Sequence, residues 1–129
     1  MADIDLITRL VEKDHGLSVV STTRPDGTIQ TSVVNAGVLD REVVFVARSD
    51  TRKVANIERT GRAAVTFRAG WEWAAVEGPA RIAGSDPQLL RDVFTAAGGT
   101  HDDWDEYDRV MALEKRVAVA VTPERISGN

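Results

Sequence analysis

The stretch ARSDTRKVAN, Ala47 to Asn56, concentrates the residue types that could do chemistry. An apolar run ends there, Ser49 and Thr51 offer hydroxyls, and Arg52 and Lys53 follow side by side. A helix that starts near Asp50 or Thr51 leaves its first N–H groups unpaired, and its macrodipole adds roughly half a positive charge at that end. Arg52 can present a bidentate fork to a phosphate, Lys53 a mobile point charge, and Arg48 can close the site from the preceding strand. Together these make a phosphate cradle. The same residues also suit an ordinary helix start, capped by Ser49 or Asp50, with its basic side chains in water. Composition leaves both readings open. The cradle requires Asp50 to cap the helix and point away from the anion.

Other chemistries find less support. The chain has no cysteine, so thiol nucleophiles, disulfides and thiolate metal sites are excluded. His15 and His101 fall near helix ends in polar surroundings and read as surface residues, outside any glycine-framed serine motif. The run HDDWDE, His101 to Glu106, looks like a ligand cluster, yet its acids sit where they complement a helix N-terminus. Neither a Walker sequence nor GxGxxG is present. No catalytic residue and no metal ligand is assigned on these grounds. Trp71 and Trp73 flank Glu72 at a strand start and so share one side of it, as a ligand wall or a dimer interface rather than plain core.

The elements that must position these residues follow from periodicity. Residues 3–14 read as a helix capped by Asp3, with Ile4, Ile7, Leu10 and Val11 on one face and Gly16 as the stop. Leu17 to Thr23 and Thr28 to Val34 read as strands joined by a turn at Arg24-Pro25-Asp26-Gly27. A second hairpin about Asp40-Arg41-Glu42 leads into Val43 to Ala47, apolar on both faces and therefore central. A short helix about Thr51 to Arg59 ends at Gly61. Strands follow at Ala63 to Phe67 and Glu72 to Gly84, with a bulge or an unpaired edge expected at Gly78-Pro79. Asp86-Pro87 opens a helix that Gly98-Gly99 closes, Asp102 to Glu114 forms another, and Val117 to Pro123 is the last strand. The segment from Glu124 is expected to add no element. The sum is a mainly β fold with flanking helices, six to seven mostly antiparallel strands, closing into a barrel.

A length of 129 residues fits one domain, 1–129. The net charge of −4 argues against a general nucleic-acid binder while leaving room for a local basic pocket. The acidic, amphipathic start MADIDLITRL lacks the pattern of a signal peptide, and no apolar run is long enough to span a membrane. The cytoplasm is the compartment expected.

In order along the chain, TTRPDGTIQTSVV, VVFVARSDTRKVANIERTGRAAVTF, EGPARI and HDDWDEYDRVMALEKRVAVAVTPERI resemble the split β-barrel oxidoreductases related to pyridoxamine 5′-phosphate oxidase. More narrowly, the sequence is similar to their actinobacterial branch, which uses the deazaflavin coenzyme F420 and less often FMN. The resemblance spans nearly the whole chain, and RKVANIERTGRAAVTF is its most specific piece. It implies that Arg48, Ser49, Thr51, Arg52 and Lys53 bind the phosphate of the cofactor's ribityl chain. It also implies that the strand Thr31 to Asn35, with Ser32, Val33 and Asn35, runs along the ring. A homodimer with two cofactors between subunits is implied, with Trp71 and Trp73 reaching the partner's site. The activity implied is hydride transfer from reduced F420 to a conjugated C=C or C=N bond; FMN-dependent chemistry and a non-catalytic F420 carrier are the alternatives. Val33-Val34-Asn35-Ala36-Gly37 stands where the family often has proline and an aromatic residue, so the wall beside the ring is smaller. The chain stops short of the arginine-bearing C-terminal segment of true pyridoxamine phosphate oxidases, so that activity is not expected.

Overall fold

A computed structural model describes residues 3–129. Helix α1 (Ile4–Asp14) starts where expected, because the Asp3 carboxylate accepts from the Leu6 N–H at 3.1 Å. It buries Ile4, Leu6, Ile7, Leu10 and Val11. His15 itself takes the left-handed C-terminal position, φ 54°, one residue before the expected glycine. Strands β1 (Leu17–Thr23) and β2 (Ile29–Leu39) form the first hairpin. Its turn is held by the Asp26 carboxylate, which accepts from both the N–H and the hydroxyl of Thr28. Asp40 and Arg41, both at positive φ, make the tight turn into β3 (Glu42–Arg48), the geometry that matches strand twist in two-residue hairpins.

Then come α2 (Arg52–Thr60), β4 (Arg62–Ala69), β5 (Glu72–Gly84), α3 (Pro87–Ala96), α4 (Trp104–Leu113), β6 (Arg116–Val121) and β7 (Arg125–Gly128). All pairings are antiparallel. The order β4-β1-β2-β3-β6-β5 closes on itself through β4–β5, giving a six-stranded barrel, and β7 adds to β5. The segment after Glu124 therefore does form a strand, contrary to the sequence expectation. Four residues suffice because β5 offers a free edge, and Ile126, opposite Val76, packs against the core.

Gly78-Pro79 is neither a bulge nor an edge. It is where β5 changes partner, pairing with β4 as far as Pro79 and with β6 from Ala80. The irregularity in β5 lies later, between Ile82 and Gly84.

Alternation explains why Val43 to Ala47 is apolar on both faces. Val43, Phe45 and Ala47 point into the barrel, joined there by Val20, Val65, Phe67, Val76 and Val119 and plugged by α1 and α2. Val44 points outward, where with Ala118 and Ala120 it packs under Leu90, Val93 and Tyr107 of α3 and α4. Burying side chains such as Phe45 and Phe67 is worth about 1.5–3 kcal/mol each. Helix α2 is pinned by a polar contact too: buried Asn56 donates to the Thr22 hydroxyl at 3.1 Å and accepts from Arg59 at 3.0 Å.

One ion pair ties three strands together. Glu42 on β3 accepts two bonds from Arg81 on β5, at 2.6 and 2.8 Å, and one from the Thr122 hydroxyl beyond β6, at 2.8 Å. The Arg81 bonds chiefly, opposed by burial, lower its carboxyl from the usual 4.5 to about 2. A carboxylate whose acidity is greater when folded stabilises fully above its unfolded pKa and loses that contribution as pH falls. Urea midpoints measured against pH should show Glu42→Gln losing about 1 kcal/mol above pH ~4.5, solvent screening of the exposed Arg81 keeping the loss small. The difference from the parent protein should shrink steadily toward pH ~2.

Candidate functional site

The start of α2 does hold a cluster of cations, but not as the sequence alone arranged it. Thr51 is the N-cap residue, and its side chain makes no capping bond; the hydroxyl donates to the Arg48 carbonyl at 2.9 Å. Asp50 does not cap the helix. Its carboxylate lies 3.5 Å from Arg48 Nε, with both side chains largely in solvent. The tight turn from Arg48 to Thr51 gives the capping position to Thr51 and turns Asp50 back toward the strand. With no acidic residue in the first turn, the free N–H groups of α2 keep their positive end.

A groove of about 510 Å³ opens beside this helix start, between β2, β3 and the α3–α4 hairpin. Lys53 and Arg116 lie at one part of it, Val33 and Asn35 at another, and Phe94, Tyr107 and Met111 form a wall from the two helices. A second cavity of about 410 Å³ adjoins it, sharing Met111 and Arg116 and taking in Ser49.

Arg116 is a residue the sequence reading missed. It sits opposite Arg48 in the β3–β6 register. One of its nitrogens pairs with Glu114 at 3.0 Å, while its Nε is buried with no partner among the described residues. Lys53 is half-buried. Desolvation first, and the nearby Arg116 charge second, lower its pKa. Burying like charges side by side is costly without an anion between them. An oxyanion here would satisfy Arg116 Nε and relieve Lys53, so the residues present fit a phosphate group.

The other sequence candidates divide. Val33, with two-thirds of its surface exposed, and Asn35 line the groove. Ser32 points to the opposite face of β2, and its buried hydroxyl has no partner among the described residues. Arg48, Thr51 and Arg52 line neither cavity, though they adjoin Lys53 and Ser49 in the chain. Trp71 and Trp73 stand apart from the groove at the tip of the β4–β5 hairpin, Trp71 almost fully exposed. The Asn129 side chain brackets them, donating to the Trp71 carbonyl and accepting from the Trp73 N–H.

The two histidines differ. His101 is packed among Phe94, Trp104 and Tyr107, with its Nδ1 accepting from the Asp103 N–H at 3.0 Å. His15 is exposed, as expected, yet it also lines the groove. Within HDDWDE the capping reading holds: Asp103 accepts from the Glu106 N–H at 3.1 Å and starts α4. Gly98 and Gly99, read as a helix stop, also line the groove. A Cβ on Gly99 would lie 2.3 Å from the Phe94 ring. A doubled glycine was the one available signal that something packs closely there. Tyr107 donates to the Leu90 carbonyl at 3.2 Å, and burial raises its pKa.

With this geometry in view, residues 7–129 match the family model described as pyridoxamine 5′-phosphate oxidase. The chain belongs to the pyridoxamine 5′-phosphate oxidase family. Similar solved structures share its fold. A conserved hypothetical protein of Mycobacterium tuberculosis is 20% identical, with a TM-score of 0.75, covering 93% of this chain and 81% of that one. A protein named F420 reductase is 17% identical, with a TM-score of 0.73, covering 98% and 97%. A pyridoxamine 5′-phosphate oxidase-related, FMN-binding protein of Nostoc punctiforme is 12% identical, with a TM-score of 0.68, covering 96% and 81%.

For this member of the pyridoxamine 5′-phosphate oxidase family, the paired cations yield a direct test. At matched ionic strength, phosphate should raise the melting temperature above that in chloride by roughly 2–4 °C. The increment should vanish when Lys53 and Arg116 are both changed to methionine. An equal increment in that variant would place the anion elsewhere.

Proposed function

We propose that this protein binds coenzyme F420 and catalyses hydride transfer from its reduced form to an unsaturated organic substrate with a C=C or C=N bond. The observation that carries the reading is the convergence of half-buried Lys53 and incompletely paired Arg116 at one part of a groove whose other part is the Val33–Asn35 wall. Lys53, Arg116 and the free N–H groups of α2 hold the phosphate, with Arg48, Ser49, Thr51 and Arg52 around them. The exposed face of β2 at Val33 and Asn35 supports the ring, and Phe94, Tyr107 and Met111 exclude water from the other side. When bound, the reduced deazaflavin supplies the hydride, and the chain's task is to align ring and acceptor. The F420 reductase of the same fold supports this choice.

FMN is the alternative cofactor, supported by the FMN-binding neighbour and by a phosphate locus that suits either molecule. A carrier role without catalysis is the third reading. Titration of the purified protein with F420 and with FMN separates the first two: F420 should bind at micromolar affinity or tighter and FMN more weakly. Replacing Arg52 and Lys53 together by alanine should weaken cofactor binding at least tenfold, about 1.4 kcal/mol, with the unfolding transition unchanged. Equal affinity would return the pair to the role of solvated surface. Bound F420 without turnover of enones, quinones or tetrapyrroles would favour the carrier.

The protein is further proposed to work in the cytoplasm as a homodimer with cofactor sites between subunits. What supports the dimer is the outer face of β1, β2, β4 and β5. There Val19 stands opposite Val33 and Thr66, with Leu17, Ile29 and Trp73 exposed. Val33 belongs both to this face and to the groove, so a second copy seated there would close the groove. Trp71 and Trp73, remote from their own groove, would then serve the partner's. Sedimentation should give a dimer, and Val19→Glu should give a monomer that binds cofactor less tightly. A parent protein that stays monomeric at micromolar concentration would remove the shared groove.

A further inference from the structure

Reducing a C=C or C=N bond takes a hydride and a proton, and the phosphate cradle provides for neither. Water can supply that proton, and so can a side chain in the groove away from the anion end. Five side chains there carry exchangeable protons: His15, Asn35, Lys53, Tyr107 and Arg116. Lys53 and Arg116 face the anion. The Tyr107 hydroxyl is committed to the Leu90 carbonyl and its acidity is weakened by burial. Asn35 is an amide, with its N–H donated to the His15 carbonyl at 2.9 Å. His15 is left, and imidazole is the side chain suited to giving and regaining protons near neutral pH.

Its backbone is fixed from three sides. His15 ends α1 in a left-handed conformation, and the Asn35 bond ties it to β2. The next residue, Gly16, accepts from the Ala36 N–H at 2.8 Å. A Cβ on Gly16 would lie 2.3 Å from the Ala36 carbonyl oxygen and 2.8 Å from that of Ala97. The end of α1 is thus wedged between β2 and the end of α3, and His15 is built into the wall beside Asn35 and Val33. Solvent still reaches it, since the residue is exposed.

We propose that His15 is the proton donor of the reaction, an assignment that rests on the reductase reading above. One atom of the acceptor's double bond receives the hydride with its electron pair. The π pair shifts to the neighbouring atom, or to a conjugated oxygen, and forms a bond there to the proton released by imidazolium. His15 is left as neutral imidazole and regains a proton from water. Substrate gains two protons and two electrons in all, and the cofactor is the reductant. The charged or titratable groups around His15 are Glu12 and Asp14 of α1, with Tyr107 of α4, Lys53 of α2 and Arg116 of β6 across the groove; β2 and α3 present none.

The chain has two histidines, so imidazole NMR signals are assigned by one substitution, His101→Gln. Adding oxidised F420 or FMN should move the His15 signals while those of His101 stay. With the reduced cofactor and a panel of 2-cyclohexenone, menadione and a cyclic imine, His15→Gln should retain cofactor affinity within twofold. Its kcat should fall on the order of 100-fold, and the parent's loss of rate with rising pH should disappear. His15→Gly should regain rate with added imidazole, a rescue that a purely structural role would not produce. Bound cofactor with unmoved His15 signals, or an unchanged pH profile in His15→Gln, overturns this assignment alone. Failure to bind either cofactor, or to turn over any acceptor, overturns it together with the reductase reading.

Discussion

Closure of the barrel through a single strand is the constraint on which the rest of the structure depends. The 13 residues of β5 pair with β4 and β7 in their first part and with β6 in their second. The change of partner occurs at Gly78, where a Cβ would lie 2.0 Å from the Thr122 carbonyl oxygen. Only glycine allows that approach. Closure consumes the edges of six strands and fixes β3 beside β6. That pairing in turn sets Arg116 opposite Arg48, at the rim where α2 begins. The position of the cationic cluster is thus a consequence of how the sheet closes.

The cluster is held in tension rather than neutralised. Surface ion pairs elsewhere, such as Arg62–Glu124 and Arg109–Glu106, match one charge with one charge in solvent and contribute little. At the rim, Asp50 attends to Arg48 and Glu114 to Arg116, while Lys53 has no ion-pair partner among the described residues. Its partial burial beside a second cation is an arrangement that an anion would relieve.

Much of this was legible along the chain, where the governing contacts are local. Asp3, Asp86 and Asp103 cap helices within three residues of themselves, and the turns at Asp26-Gly27 and Asp40-Arg41 are local too. The double-faced apolar pattern of Val43 to Ala47 reported a strand covered on both sides. What escaped was decided over long separations. The strand β7 exists because residues some fifty positions earlier leave an edge to pair with. Asp50 is a plausible cap by type, and tertiary geometry gave that place to Thr51. Arg116 reads as the start of a strand until the register sets it opposite Arg48, and His15 reads as a helix end until Asn35 of β2 ties down its carbonyl. The helical hairpin shows its part in the groove only through Gly98-Gly99, because its other contributions are shape and apolar surface.

The division of the apolar residues into two clusters on opposite sides of one wall has a dynamic consequence. The barrel cluster joins seven strands and two helices, whereas α3 and α4 rest on a handful of side chains about Val44, Leu90, Val93 and Tyr107. Two clusters on opposite sides of the wall are the arrangement in which a hairpin can open below the free energy of global unfolding, a behaviour native-state hydrogen exchange would read. The hairpin's amides should exchange with solvent through these partial openings while those of the barrel wait for the whole chain to unfold. Because β2 and the hairpin line one groove, a ligand touching both would couple the two clusters.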